Sequence, residues 1–205
     1  MFQIKIECYI CHRIYHPKYI NNDIVCVDCD DVENVTVEQV THILNHYKTY
    51  YRVCKKYKLR APNFPEGISE NIVKYYINNI ENIRCINADV GDLSKIEEEC
   101  ISKIEVKCFT STGPTSFGPT EVWDELYFLD ALNFNKNMYK IYRISMKNTD
   151  RRFQKMKVNK KETYGDQCRD GRRPRLCFNM LKKKLEKYDE FELVFDGSYE
   201  SLIKK

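Results

Sequence analysis

Glu105, Val106 and Lys107 lie in a run, Ile101 to Phe109, whose composition predicts a β-strand. Residues two apart on a strand share a face. Glu105 and Lys107 therefore project together, while Ile104, Val106 and Cys108 point the other way, toward a core. Asp92 stands thirteen positions before Glu105 and arrives from an adjacent turn. Two carboxylates hold Mg²⁺ while leaving positions for water and a phosphate oxygen. Such a cation lowers the pKa of water and neutralises charge building on phosphorus, and a lysine beside it orients the attacking oxygen. Glu70, on a helix that follows Pro65-Glu66-Gly67, supplies a further acid, and Asp89 competes with Asp92 for the first position. The opposing reading makes Asp92 a turn cap and leaves Glu105 and Lys107 on a solvated face. Acid-x-lysine occurs by chance in any charged protein, so spacing alone favours that plainer reading.

A second set of residues binds metal for a different purpose. Cys8-x2-Cys11 and Cys26-x2-Cys29 are separated by fourteen residues. Two such pairs wrap one Zn²⁺ tetrahedrally, and four thiolates leave no open position, so the site is structural. Binding worth roughly 10–16 kcal/mol folds a segment too small to have its own core. His12 and His16, inside the loop, are weaker candidates than the cysteines.

The third set is basic. Arg172-Arg173-Pro174-Arg175 offers guanidinium forks, which pair with guanine O6 and N7 or clamp phosphates. Lys157, Asn159, Lys160, Lys161 and Gln167 are its neighbours in sequence, and Thr115, Ser116 and Phe117 follow the catalytic strand closely enough to reach the same groove. The alternative is a solvated basic turn.

The elements that must position these groups follow from periodicity and breakers. Val37, Val40, Ile43, Leu44, Tyr47 and Tyr51 recur at helical spacing and predict a helix from Val35 to Tyr57. Pro62 and Pro65 end it, and Ile68, Ile72, Val73, Tyr76 and Ile77 predict a second helix from Glu66 to Asn79. Strands are predicted at Arg84–Ala88, Ile101–Phe109, Glu125–Leu132 and Tyr139–Met146. Two Gly-Pro steps make residues 113–119 a loop, and residues 148–175 read as a basic loop and turn. A helix from Phe178 to Tyr188 and a strand from Phe191 to Phe195 follow. The class is α/β, with a mixed sheet flanked by helices, and with a module boundary at residue 33. Asp124, Glu125 and Asp130 read as strand-edge or capping carboxylates, although Glu121 and Asp124 could join a second metal.

The whole chain sets the limits. Its 205 residues hold one substantial core and a small appendage, its charged content of 31% is that of a soluble domain, and the net charge is +4. No apolar stretch is long enough to span a bilayer, and ten cysteines without a secretory signal argue for reduced thiols in a cytoplasmic setting. That cell is bacterial, or a host cell if a large DNA virus encodes the chain.

Pro65-Glu66-Gly67-Ile68-Ser69-Glu70, then Gly91-Asp92, then Ile104-Glu105-Val106-Lys107 resembles the PD-(D/E)xK nuclease superfamily. Ser116-Phe117-Gly118-Pro119, Val158-Asn159-Lys160-Lys161-Glu162-Thr163, Asp166-Gln167 and Gly171-Arg172-Arg173-Pro174-Arg175 further resemble a small family of type II restriction endonucleases cutting GCNGC-type sites. The resemblance covers about residues 60–180. It implies a restriction-endonuclease-like core with Mg²⁺ on Asp92 and Glu105, Lys107 supporting the nucleophile, and Glu70 as the helix acid. Gly91 replaces the motif's proline. The implied partner is double-stranded DNA, bound by a homodimer because two strands need two active sites, with a protecting DNA methyltransferase as functional partner. Two readings compete: a structure-specific repair or junction-resolving nuclease, and a non-enzymatic zinc-ribbon DNA-binding regulator.

Overall fold

Thr36 starts the first helix, α1 (Val37–Lys56), with a reciprocal cap: its hydroxyl accepts from the Gln39 amide at 3.2 Å, and its own amide donates to the Gln39 side chain at 2.9 Å. The computed structural model describes residues 35–88, 92–98 and 100–204, and before them only the backbone of four short strands. The chain divides into two units, Met1–His42 and Ile43–Lys205. In the first, β1 (Ile6–Glu7) pairs antiparallel with β2 (Ile14–Tyr15), and β3 (Lys18–Ile20) with β4 (Asp23–Val25). Cys8, Cys11, Cys26 and Cys29 lie outside the described residues, and so do Asp89 and Gly91.

In the second unit, helical spacing puts Leu44, Tyr47, Tyr51 and Cys54 on one side of α1. Tyr47 and Tyr51 pack on Phe134 with ring centroids 5.4 and 4.9 Å apart, and Phe64 closes the cluster 5.3 Å from Tyr47. The second helix, α2 (Glu66–Asn79), starts after Pro65 and buries Ile72, Val73, Tyr76 and Ile77. A reciprocal amide pair ties it to the sheet: Asn78 donates to the Cys85 carbonyl at 3.1 Å and accepts from the Cys85 amide at 2.8 Å.

The central sheet has six strands: β5 (Arg84–Asn87), β6 (Leu93–Ile96), β7 (Ile101–Phe109), β9 (Glu125–Asp130), β10 (Met138–Ile144) and β12 (Phe191–Ser198). Their spatial order is β12-β10-β9-β7-β6-β5, antiparallel except for the parallel pair β7 and β9. This is the mixed α/β sheet expected from the sequence. The period of two is obeyed on β7 and β9. Ile104 and Val106 share a face with Tyr127 and Leu129, and α2 packs on that side of the sheet. Glu105 and Lys107 share the other face with Leu126 and Phe128. That second face is covered by a core of Phe117, Trp123, Phe153, Tyr164, Phe178 and Leu181.

Several elements differ from the sequence expectation. Strand β6 was not anticipated, because Lys95 breaks its apolar pattern; Lys95 is buried and paired with Glu125 at 2.5 Å. Strand β8 (Pro114–Ser116) forms where the Gly-Pro steps predicted only a loop. It pairs with β11 (Arg175–Cys177) alone, and Pro114 takes its first position, where a missing N–H is tolerated. The basic segment 148–175 contains α3 (Arg151–Gln154) and α4 (Tyr164–Arg169). Helix α5 (Phe178–Leu185) stops three residues before its predicted end, and α6 (Tyr199–Ile203) follows β12. Among the described residues, no helix is long and apolar enough to cross a membrane.

Candidate active site

Leu93 stands opposite Ile104 in the β6–β7 register, so continuing that register sets Asp92 opposite Glu105. The Asp92 carboxylate accepts a hydrogen bond from the Val106 amide at 2.7 Å, between Glu105 and Lys107. The Lys107 ammonium is ion-paired with Glu105 Oε1 and lies 5.5 Å from the centroid of the Phe117 ring. Glu105 is only 3% exposed. Burial removes the solvated-face alternative: a carboxylate kept from water needs a compensating cation or hydrogen bonds. Lys107 supplies one such cation.

More negative charge converges here than Lys107 balances. Burial, and then the fields of Asp92 and Glu66, push the Glu70 carboxyl up to about 7. Burial also pushes Glu105 up to about 7, against the opposing pull of Lys107 and with help from Asp92 and Glu121. Asp92 is raised as well, mainly by burial, while the Val106 amide and Lys107 act to lower it. Glu121, in the segment between β8 and β9, is held by the Gly118 amide, which donates to its carboxylate at 2.8 Å. A Cβ on Gly118 would stand 2.1 Å from that carboxylate, so only glycine leaves room for it. The sequence flagged Glu121 only as a companion of Asp124. Asp124 instead accepts from the Lys103 amide at 2.9 Å and pairs with Lys147 at 2.9 Å, a structural cap.

Glu70, Asp92, Glu105 and Glu121 are hard oxygen donors whose shared excess charge suits a divalent cation. Among the described residues no three His, Cys, Asp or Glu side chains gather into a ready-made chelate. Oxygen donors of this kind suit hard divalent cations, whose remaining positions water and substrate oxygens complete.

The basic segment is fastened to this site. The Phe117 amide donates to the Pro174 carbonyl at 2.9 Å, and Ser116 stands opposite Arg175 in the β8–β11 pair. Arg173 and Arg175 are exposed and form no ion pair among the described residues; Lys160 and Lys161 are exposed too. Arg172 is different: it is bound by Glu162 at 2.5 Å and Asp170 at 2.7 Å. Gln167 is buried, and both it and Asn159 donate to Glu162, at 3.0 and 2.7 Å. Nothing in the run Val158 to Thr163 alone gives Glu162 a role. The nearby Thr163-x-x-Asp166 capping box, which starts α4, is the local signal that marks a helix inside the expected basic loop.

Residues 32–187 match the Bsp6I restriction endonuclease family. The type II restriction enzyme Bsp6I of Bacillus sp. (strain RFL6) is 32% identical over 130 residues, which covers 63% of this chain and 70% of that enzyme. No solved structure matches. The family match takes in both the acid–lysine strand and the basic segment, and on it the chain belongs to the Bsp6I restriction endonuclease family, as a type II site-specific deoxyribonuclease.

Proposed function

We propose that the protein is a Mg²⁺-dependent endonuclease of PD-(D/E)xK type, which hydrolyses phosphodiester bonds of double-stranded DNA at a specific sequence. One observation carries the reading: Asp92 is hydrogen-bonded to the Val106 amide, between a buried Glu105 and the lysine paired with it. Asp92 and Glu105 hold the cation, with Glu70 and Glu121 adding to the negative field that attracts it. A bound divalent cation supplies neutralisation of the phosphate and a more acidic attacking water. Lys107 orients the attacking oxygen and stabilises charge on the phosphate. Its own position is set by Glu105 and by the ring of Phe117.

Exposed Arg173, Arg175, Lys160 and Lys161, with Ser116, form the DNA-engaging side, while Arg172, Asn159 and Gln167 support it through Glu162. The target is a GCNGC-type site, read by a homodimer whose two-fold axis matches the site. Cys8, Cys11, Cys26 and Cys29 bind a structural Zn²⁺, and a DNA methyltransferase protects the producer's own sites. Plasmid carrying such sites, incubated with the purified protein and either Mg²⁺ or EDTA, tests the reading. Discrete fragments with Mg²⁺ alone are expected. Intact plasmid across many site sequences would reject it.

A further inference from the structure

Glu162 lies at the centre of the basic segment. Its two oxygens receive Arg172 Nη2 at 2.5 Å, Asn159 Nδ2 at 2.7 Å and Gln167 Nε2 at 3.0 Å. Asp170 takes Arg172 Nη2 from another side at 2.7 Å. The backbone of Arg172 is fixed as well. Helix α4 ends in a left-handed Gly171 (φ 68°), with Gly171 N donating to Cys168 O and Arg172 N to Gln167 O, both at 2.9 Å. This is the paired hydrogen-bond pattern of a Schellman stop.

Two carboxylates on one guanidinium leave the Arg172 site with a net charge of −1. A phosphate would be repelled there, and the end-on fork that pairs with a guanine edge is already taken by Glu162. The next residues differ. Arg173 and Arg175 are exposed and alternate with buried Pro174 and Leu176. In extended chain that alternation sends both arginines to one face, about 6.6 Å apart at ~3.3 Å per residue. Two steps along one DNA strand cover about 6.8 Å, at ~3.4 Å each.

We propose that Glu162, Asp170 and Arg172 form a positioning clamp that presents Arg173 and Arg175 to DNA, and that Arg172 itself makes no DNA contact. This rests on the DNA-cleaving function proposed above and divides the labour within its basic segment. It sets Glu162 as a positioning residue for sequence discrimination, acting through the arginines that follow.

The sign of one effect separates this clamp from a latch that DNA must open. Glu162→Gln removes a negative charge from a DNA-facing surface, so simple electrostatics makes the variant bind tighter. The clamp makes it discriminate worse, because Arg173 and Arg175 lose their placement. The measurement is binding of duplexes that carry the mapped cut site or single base-pair substitutions of it, in a Glu105→Gln background, between 50 and 200 mM KCl. Expected are a roughly 10-fold or greater fall in discrimination for Glu162→Gln and Arg172→Gln alike, with no further loss in the double variant. Arg172→Lys, whose ammonium still sits between the two acids, retains wild-type discrimination. Arg173→Ala and Arg175→Ala each lower the salt slope by about one if they hold phosphates, or relax one site position if they read bases. Unchanged discrimination by Glu162→Gln, or lost discrimination in Arg172→Lys, overturns the clamp. Failure of the wild-type chain to cut any DNA overturns the function instead, so the two failures are distinct.

Discussion

Asp92 and Val106 are joined by a 2.7 Å hydrogen bond from the strand amide to the carboxylate, and this bond brings the first acid of the site to the second. The bond also separates two roles of Asp92. Asparagine keeps an oxygen to accept from Val106 but carries no charge. Asp92→Asn is therefore expected to fold with near wild-type stability while kcat falls roughly 100-fold or more. Asp92→Ala also strands a buried amide, at about 1–3 kcal/mol. Thermal melts beside cleavage rates check the pair. Full activity in Asp92→Asn would remove Asp92 from the reaction.

Gly118 and Glu121 offer a test that touches no ionisable side chain directly. A methyl group at residue 118 occupies the space of the Glu121 carboxylate. The far end of a flexible side chain moves cheaply, so Gly118→Ala is expected to fold and to displace Glu121. If Glu121 contributes to the acidic field of the site, the variant needs more Mg²⁺ for half-maximal cleavage, and Glu121→Gln shifts the Mg²⁺ requirement in the same direction. Equal Mg²⁺ titrations for wild type and both variants would count against Glu121.

Much of this arrangement could be read from the residues in order. The alternation in Ile104-Glu105-Val106-Lys107 placed acid and lysine on one face because strand period is rigid. The helix of Glu70 followed from Pro65 and a clear apolar spacing. What was hidden depended on residues far apart in sequence. Nothing local to Leu93-Ser94-Lys95-Ile96 shows that Glu125 will neutralise a buried Lys95, so β6 was invisible. Glu162 looked like one charge in a basic run, because its partner Arg172 is ten residues away. The burial of Glu105 came from the aromatic core around Phe117 and Tyr164, and no spacing rule reports which face such a core will cover.

The elevated carboxyls give the metal-free protein a signed pH dependence. Glu70 and Glu105 have folded-state values near 7, above the ordinary 4.5. Such acids bind more protons folded than unfolded between those values. Their contribution to stability is thus present below about 4.5 and is lost as pH rises through about 7. With chelator, the melting temperature is expected to fall between pH 5.5 and 8, and Ca²⁺ or Mg²⁺ to recover part of the loss at pH 8. Glu105→Gln flattens the slope. A slope unchanged in that variant would place the titration elsewhere.

Gly171 tests whether the Schellman stop matters to the basic segment. At φ 68° an alanine is strained although the space around it is open. Gly171→Ala is expected to cost on the order of 1 kcal/mol and to raise hydrogen exchange at the Gly171 and Arg172 amides. Unchanged protection there would mean that the turn is fixed by its surroundings rather than by glycine.

On the function proposed above, Asp92, Glu105 and Lys107 make up a metal-dependent DNA-cleaving site. The most direct measurement compares wild type, Glu105→Gln and Lys107→Ala on one plasmid, with Mg²⁺ and with EDTA, alongside binding of the cut-site duplex. Discrete fragments are expected from wild type with Mg²⁺ only, and no cleavage by either variant while both still bind the duplex. Fragments from wild type in EDTA, or wild-type cleavage by Glu105→Gln, would contradict it.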